Sequence, residues 1–211
     1  VTSPANVLGI ELNEYAAELA RVTVWIGELQ WRLAHSYDFK KNPVLEPLDH
    51  IECRDALLAP LPIEGGGARG EGDDGDSTHT LISDPNAPSP QPLSHKGRGA
   101  RTEATWPRAD AVIGNPPFVG GSKKRRELGD DYFDALAKVY EGRVPAGADL
   151  VCYWFDKALQ QMKRSDLALA GLVATNSIRG GANREVLDAI VSAGVIHEAW
   201  SDEPWVNDGA A

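Results

Sequence analysis

Short apolar runs alternate along this chain with segments of helical periodicity, and this alternation limits the possible folds more than any other feature. Apolar runs at 7–10, 50–53 and 109–114 predict strands. Between the first two, apolar residues recur with helical spacing over residues 14–34, which predicts an amphipathic helix. Because strands that alternate with helices favour a mainly parallel sheet with helices on both faces, we expect an α/β fold.

The second half of the chain continues the same pattern. Its periodicity predicts helices over 127–141, 149–163 and 184–192, and strands over 169–174 and 195–200. Asp149 stands where its carboxylate would accept hydrogen bonds from free backbone N–H groups in the first turn of the second helix. We therefore expect Asp149 to cap that helix.

Residues 64–103 differ in composition from both halves. Gly and Pro account for 12 of these 40 residues, and large apolar side chains are almost absent. Such a segment buries too little apolar surface to offset the entropy lost on ordering. We therefore divide the chain into a first part of the core at 1–63, a disordered insertion or linker at 64–108, and a second part of the core at 109–211.

The composition argues against several kinds of site and partner. Two cysteines and five singly placed histidines give no disulfide framework and no ligand spacing, so no metal site is predicted. No apolar run approaches the roughly 20 residues of a membrane span and no signal peptide is visible, so a cytoplasmic protein is expected. The net charge of −10 argues against a free-standing nucleic-acid binder, unless a separate domain reads the DNA.

The tetrapeptide Asn115-Pro116-Pro117-Phe118, directly after the 109–114 strand, is the most informative motif. Ligands of parallel α/β sheets bind beyond the carboxyl ends of the strands, and Asn115 stands at such an end. The prolines fix φ at two positions and remove two N–H donors, and a residue before proline is pushed out of helical conformation. We expect a stiff loop that presents carbonyl groups, one side-chain amide and one aromatic ring.

Such a loop suits methylation of an exocyclic amino group, whose lone pair is delocalised into the ring and therefore poorly nucleophilic. The Asn115 side-chain oxygen and the Pro116 carbonyl would accept both amine hydrogens and aim the lone pair at a sulfonium methyl group. Phe118 would stack on a base that has left the duplex. The alternative is a rigid surface turn, but the apolar strand before the motif and the aromatic residue in it favour the catalytic interpretation.

Further stretches carry a recognisable pattern: GIELN at 9–13, VTVWIG at 22–27, IGNPPFVGG at 113–121, ADLVCYWF at 148–155, TNSIRGGANR at 175–184 and WSDEPW at 200–205. With them, the chain resembles the class I amino-methyltransferases, whose fourth motif is Asn/Asp-Pro-Pro-aromatic. It resembles more closely the methyltransferase part of the large type IIG, MmeI-like restriction–modification enzymes. The likeness covers nearly everything outside the insertion.

The resemblance implies a Rossmann-like class I methyltransferase fold with S-adenosylmethionine as cofactor. The implied reaction is methyl transfer to the N6 amino group of adenine in DNA, in a restriction–modification or related defence system, with residues 115–118 as the catalytic motif. The family's first motif, a strand with a glycine-rich turn, should precede Glu11, where Gly9 is the sole glycine. We therefore expect a fold without its first strand, interpret both ends of the chain as cuts, and expect this piece alone to be inactive.

The resemblance also assigns cofactor and base contacts. Glu11 would bind the ribose hydroxyls of S-adenosylmethionine, and Asp55 would accept from its adenine amino group, with Ala56 beside it. Considered alone, Glu11 is equally well a surface carboxylate and Asp55 a turn aspartate, but their order before the catalytic motif matches the family. Asn176 and Arg179 follow another strand and would line the pocket of the target base.

The expected partner is double-stranded DNA with one base flipped out. No association with a membrane is expected. The basic run at 123–126 would contact DNA phosphates or form a solvated basic turn. A target-recognition domain, and a nuclease domain where the parent chain has one, are further expected partners. The alternatives are methylation of another planar amine, such as cytosine N4, an RNA base or a protein glutamine, and a non-catalytic remnant of such an enzyme.

Overall fold

The computed structural model describes residues 3–35, 47–61 and 100–201. Its strands are β1 Gly9–Glu11, β2 Ile51–Cys53, β3 Leu58–Pro60, β4 Arg101–Glu103, β5 Ala109–Gly114 and β6 Leu167–Leu172. Its α-helices are α1 Glu14–Ala34, α2 Gly121–Leu128, α3 Asp130–Val139, α4 Val151–Lys163 and α5 Asn183–Ala193. Two 3₁₀ turns span Pro4–Asn6 and Asn176–Arg179. This mixture of strands and helices agrees with the predicted α/β class.

The strands β1 and β2 form a parallel pair that α1 connects. Glu11 lies opposite Cys53, so both strands end at the same edge of the pair. The helix begins after Asn13 because the Asn13 side chain accepts a hydrogen bond from the Ala16 N–H at 3.0 Å. Ala17 is fully buried on the face that packs against the strands. The predicted helix is confirmed at both ends.

The strands β5 and β6 form a second parallel pair, with α2, α3 and α4 between them in the chain. Ala109 lies opposite Leu167 and Gly114 opposite Leu172. The Val173 N–H donates to the Gly114 carbonyl at 3.0 Å, which continues the pairing one residue beyond the strands. The segments that follow β5 and β6 therefore start side by side at the carboxyl edge.

An antiparallel pair that the sequence did not predict, β3 with β4, attaches the first half of the chain to the second. Leu57 and Leu58 are buried in the main hydrophobic core together with residues of α3 and α4. The Tyr140 hydroxyl donates to the Leu57 carbonyl at 3.1 Å. The first half of the chain is thus held by the core that also supports the segments after β5 and β6.

A mostly buried ionic network fastens β4 to α4. Lys157 is 4% exposed, and its ammonium donates to Glu103 at 3.1 Å and to the Ala104 carbonyl. Arg143 donates to Glu103 at 2.6 Å and forms an ion pair with Asp156 at 3.1 Å. Burial alone would raise the pKa of Glu103, but the Arg143 hydrogen bond and the Lys157 charge outweigh it, so the pKa lies below its usual range.

Three segments have a different secondary structure from the one that the sequence predicted. The helix predicted over 127–141 is divided at Gly129, whose φ of 84° lies in the left-handed region that favours glycine. Residues 195–200 are exposed and irregular instead of a strand, because they pair with no strand in the described part of the chain. Residues 101–103 form β4 within the predicted insertion, and the rest of that insertion before Ala100 lies outside the described residues.

The strands of the described residues form three two-stranded sheets, not the single, mainly parallel sheet that we predicted. Among these residues β1 pairs with β2 alone and β5 with β6 alone, so β1 and β5 each have an open edge. Ile113 in β5 is 87% exposed and Leu169 in β6 is 56% exposed. Parallel sheets are normally covered on both faces, so these side chains mark an uncovered face.

Candidate active site

The segment that follows β5, residues 115–118, forms a loop that is anchored at both ends. Before it, the Gly114 carbonyl accepts from the Val173 N–H at 3.0 Å; after it, the Val119 carbonyl accepts from the Leu150 N–H at 2.8 Å. The two prolines stiffen the chain between these anchors. We call residues 115–118 the acceptor loop.

The acceptor loop presents two unoccupied hydrogen-bond acceptors. Asn115 is exposed, and neither its side chain nor the Pro116 carbonyl has a hydrogen-bond partner in the described part of the chain. Pro117 contributes no N–H donor that would occupy them. The ring of Phe118 is 47% exposed. An amino group that approaches from solvent would therefore meet the exposed Asn115 side chain without displacing a protein donor, whereas Pro116 is buried and its carbonyl is reached only by a group that enters the loop.

Asp149 links three segments around the acceptor loop instead of capping α4, so the capping prediction was wrong. Its Oδ1 accepts from the Gly121 N–H at 2.7 Å, and its Oδ2 accepts from the Ser177 hydroxyl at 2.6 Å and from Asn183 Nδ2 at 2.8 Å. The helix α4 begins without a side-chain cap, because this carboxylate is directed at the first N–H of α2. Burial alone would raise the pKa of Asp149, but the hydrogen bonds from Ser177 and Gly121 outweigh it and hold the pKa below its usual range.

A groove of about 650 Å³ lies between the start of α2 and the 3₁₀ turn after β6. Asn176 and Arg179, the predicted base-pocket residues, both line it. The acceptor loop does not line the groove, which begins just after it at Gly120. The structure thus brings Asn176 and Arg179 together with the start of α2, next to the acceptor loop but not in one pocket with it.

Glu11 and Asp55 lie at the same edge of the β1–β2 pair. Glu11 is the last residue of β1, and Asp55 comes two residues after the end of β2. The Oε1 of Glu11 accepts from the Asn13 N–H at 2.9 Å, and Oε2 has no hydrogen-bond partner among the described residues. Glu11 therefore fits a ligand that offers hydroxyl donors, such as a ribose.

Asp55 and Ala56 are engaged within the chain. The Oδ1 of Asp55 accepts from the N–H groups of Leu57 at 2.8 Å and Leu58 at 3.3 Å, which is the turn role weighed as the alternative. Its Oδ2 is buried, and the carboxylate lies near the Tyr132 hydroxyl, whose pKa burial and this charge both raise. The Ala56 carbonyl accepts from the Trp106 indole at 2.8 Å. The buried oxygen fits an incoming amino group only after the side chain turns outward.

The family of this chain is indicated by comparison with known proteins. A family model described as the MmeI DNA-methyltransferase domain matches residues 2–211. The chain belongs to this family. Membership indicates DNA methylation in a restriction–modification system. Comparisons with curated proteins and with solved structures gave no match.

In this MmeI-type domain the basic run at 123–126 is divided, because Lys123 and Arg126 are exposed whereas the two residues between them are engaged within the domain. Lys124 is fully buried, and its ammonium donates to the Tyr153 hydroxyl at 3.2 Å and lies 4.7 Å from the centre of that ring. Burial lowers the pKa of Lys124 to about 8. Arg125 donates to two aspartates of the MmeI-type domain's α3 at 2.7 Å each. The helix α2 therefore turns one cation inward and pairs the next with carboxylates.

Sequence reasoning missed two residues of this MmeI-type domain that hydrogen-bond to Asp149, Ser177 and Asn183. The signal for Ser177 was present, because Thr-Asn-Ser follows an apolar run directly, where ligands of parallel sheets bind. That signal drew attention to Asn176 and Arg179 but not to the serine between them. Nothing in the local sequence distinguished Asn183, whose contacts are with Asp149, Ser177 and Cys152.

Two features are absent from the described residues of this MmeI-type domain, a helix that could span a membrane and a cluster of metal ligands. No helix in 3–35, 47–61 or 100–201 is long and apolar enough to cross a membrane. No group of three or more His, Cys, Asp or Glu side chains in the same ranges is arranged to hold a metal ion.

Proposed function

We propose that this domain methylates the N6 amino group of adenine in DNA, with S-adenosylmethionine as the methyl donor, as part of a restriction–modification system. The observation that carries the proposal is the pair of unoccupied acceptors on the acceptor loop, Asn115 Oδ1 and the Pro116 carbonyl. An exocyclic amino group has two hydrogens, and the loop offers one acceptor for each. Family membership supports DNA as the substrate.

The acceptor loop would act by orientation and electrostatics. Asn115 and Pro116 accept the two amine hydrogens, which draws the nitrogen towards tetrahedral geometry and directs its lone pair at the methyl group. The methylated nitrogen then gives up one proton to solvent water, because neither amide oxygen is basic enough to keep it. Phe118 is exposed and stacks on the base, which returns roughly 1–3 kcal/mol of the cost of unstacking it.

Glu11 and Asp55 are the residues of this chain that would hold the cofactor. S-adenosylmethionine, when bound, supplies an electrophilic methyl group on a sulfonium. The unoccupied Oε2 of Glu11 accepts from the ribose hydroxyls. The buried Oδ2 of Asp55 accepts from the adenine amino group once the carboxylate turns out of the core. Both lie beyond the carboxyl ends of paired parallel strands, where cofactors of α/β proteins bind.

Asn176 and Arg179 are proposed to contact the target nucleotide. They line the groove beside the acceptor loop, and Arg179 is an exposed cation. A net charge of −10 leaves this chain without the basic surface that retains DNA by itself. A target-recognition domain of the same parent chain would therefore supply most of the DNA affinity, and a nuclease domain is a further proposed partner.

The proposal is tested by offering several acceptors to the full-length protein. The protein is incubated with S-adenosylmethionine carrying a tritiated methyl group and with unmethylated genomic DNA, total RNA or a release-factor protein. We expect label in DNA alone, and mass spectrometry of the digested DNA should identify N6-methyladenine.

Other outcomes would contradict parts of the proposal. N4-methylcytosine as the sole product would overturn the choice of base, which rests on resemblance because both amines fit the same two acceptors. Label in RNA or protein alone would overturn DNA as the substrate. No label in any acceptor, with bound cofactor shown by calorimetry, would favour a non-catalytic remnant.

A further inference from the structure

We infer that Asp149 is a positioning residue whose carboxylate fixes the acceptor loop against the 3₁₀ turn Asn176–Arg179. The inference rests on the proposed function, because it concerns the geometry in which the amine is held. Among the described residues, Asp149 makes no hydrogen bond to the two acceptors of the loop, Asn115 Oδ1 and the Pro116 carbonyl. It acts through the segments that carry them.

Each oxygen of Asp149 holds a different segment. The Oδ1 accepts from the N–H of Gly121, the first residue of α2, which the chain reaches directly from the acceptor loop. The Oδ2 accepts from the hydroxyl of Ser177, which lies between the two proposed base contacts in the 3₁₀ turn. The neighbouring Leu150 N–H donates to the Val119 carbonyl at 2.8 Å. Residues 149 and 150 thus hold the far end of the acceptor loop and the facing turn at once.

Asn183 makes the arrangement sensitive to charge. This residue is 6% exposed, and its Oδ1 accepts from the Asp149 N–H at 2.6 Å and from the Cys152 thiol at 3.4 Å. Its Nδ2 donates to Asp149 Oδ2 at 2.8 Å and to the Ser177 carbonyl at 3.0 Å. Rotating the amide by half a turn would set donor against donor and acceptor against acceptor. Asn183 is therefore fixed as a donor towards the carboxylate.

The fixed donors predict that an isosteric amide cannot replace the carboxylate. Asp149→Asn has one acceptor oxygen and one NH₂ group, so the NH₂ group must face either the Gly121 N–H or the Asn183 Nδ2 donor. In the first orientation the Gly121 contact that holds the start of α2 is lost. In the second the Asn183 contact is lost, although the Ser177 hydroxyl can turn and accept from the NH₂ group. The start of α2 also lies close to the segment before α4, since a Cβ at Gly121 would stand 1.9 Å from the Gly147 carbonyl oxygen, and this leaves little room for a compensating shift.

The experiment compares four variants of the full-length protein. Asp149→Asn releases a segment, Ser177→Ala removes only the hydroxyl arm on an exposed turn, and Ser177→Thr keeps that hydroxyl. Asp156→Asn is the matched control, because Asp156 is a buried carboxylate near the middle of α4. It contacts Arg143 and Gln160, and none of its contacts among the described residues is with the acceptor loop or the 3₁₀ turn. Methyl transfer to genomic DNA gives kcat and the KM for S-adenosylmethionine, and hydrogen exchange is measured over residues 114–124 and 173–180.

We expect Asp149→Asn to lower kcat about 100-fold and Ser177→Ala about 10-fold, with the cofactor KM little changed, because misplacement of a reacting group by about 1 Å costs on that order. Ser177→Thr and Asp156→Asn should retain wild-type kcat. Exchange should accelerate in at least one of the two measured segments of Asp149→Asn and in neither segment of Asp156→Asn.

Wild-type kcat and wild-type exchange in Asp149→Asn would overturn the inference. So would equal losses in Asp149→Asn and Asp156→Asn, which would indicate general destabilisation. If the wild-type protein transfers no methyl group, the proposed function fails separately, and the exchange pattern still decides whether Asp149 positions these two segments.

Discussion

The substitution Asn115→Ala should separate catalysis from stability more cleanly than any other change in this domain. Asn115 is exposed and its side chain has no hydrogen-bond partner among the described residues, so its loss should change the free energy of unfolding by less than about 0.5 kcal/mol. The same change removes one of two preorganised acceptors at the reacting amine. Loss of one such contact costs about 10²–10³ in rate, or roughly 2.7–4 kcal/mol of activation free energy.

Single-turnover methyl transfer measures this loss directly. The full-length wild type and variant are mixed with saturating S-adenosylmethionine and genomic DNA, and cofactor affinity is measured by calorimetry. We expect the rate constant to fall by about 10²–10³ with cofactor affinity unchanged, because the Pro116 carbonyl remains as the second acceptor. Asn6→Ala, which changes an exposed asparagine near β1, is the control and should behave as wild type. Near-normal turnover in the Asn115 variant would refute the proposed role of the loop.

Three further predictions concern stability and cofactor binding. Replacing residues 64–98 with a short turn should preserve the circular dichroism spectrum, because the Leu61 N–H already donates to the Ala100 carbonyl at 3.1 Å. Deleting residues 64–103 also removes β4 and should therefore lower the urea midpoint of unfolding. The pKa of Glu103 is lower in the folded state than its ordinary value of 4.5, so its stabilising contribution is present above that pH and is lost as the pH falls through the folded pKa. Glu103→Gln should therefore lower the urea midpoint at pH 7, and the difference should shrink in acid. The 211-residue chain alone should bind S-adenosylmethionine weakly, because β1 and β5 share no strand in the described part of the chain, and micromolar affinity by calorimetry would contradict this.

The elements that the sequence predicted best are those whose signals are local. The helix α1 carries a regular apolar period and a capping Asn13, and both act within a few residues. The acceptor loop follows from two prolines that restrict the backbone wherever they stand. The strand β5 needed only an apolar run followed by this motif.

The elements that the sequence did not predict depend on distant partners. The polar stretch Arg101-Thr102-Glu103 becomes a strand only because β3 lies beside it and Lys157 neutralises Glu103. Lys124 is buried because aromatic residues of α3 and α4 enclose it, which its basic neighbours in the sequence conceal. From its position in the chain, the Asp149 carboxylate could accept from the free N–H groups at the start of α4 or from groups of distant segments. Only the fold shows that it accepts from the Gly121 N–H and the Ser177 hydroxyl.

The most direct test of the catalytic role of the acceptor loop is the modified-base content of DNA from cells that express the full-length protein. The host lacks adenine methylation of its own, and one culture carries the wild type while the other carries Asn115→Ala. We predict N6-methyladenine in DNA from the wild-type culture and its loss in the variant, with both proteins present at equal levels. Equal N6-methyladenine in the two cultures, or its absence from both, would contradict the conclusion that this loop orients an adenine amino group for methylation.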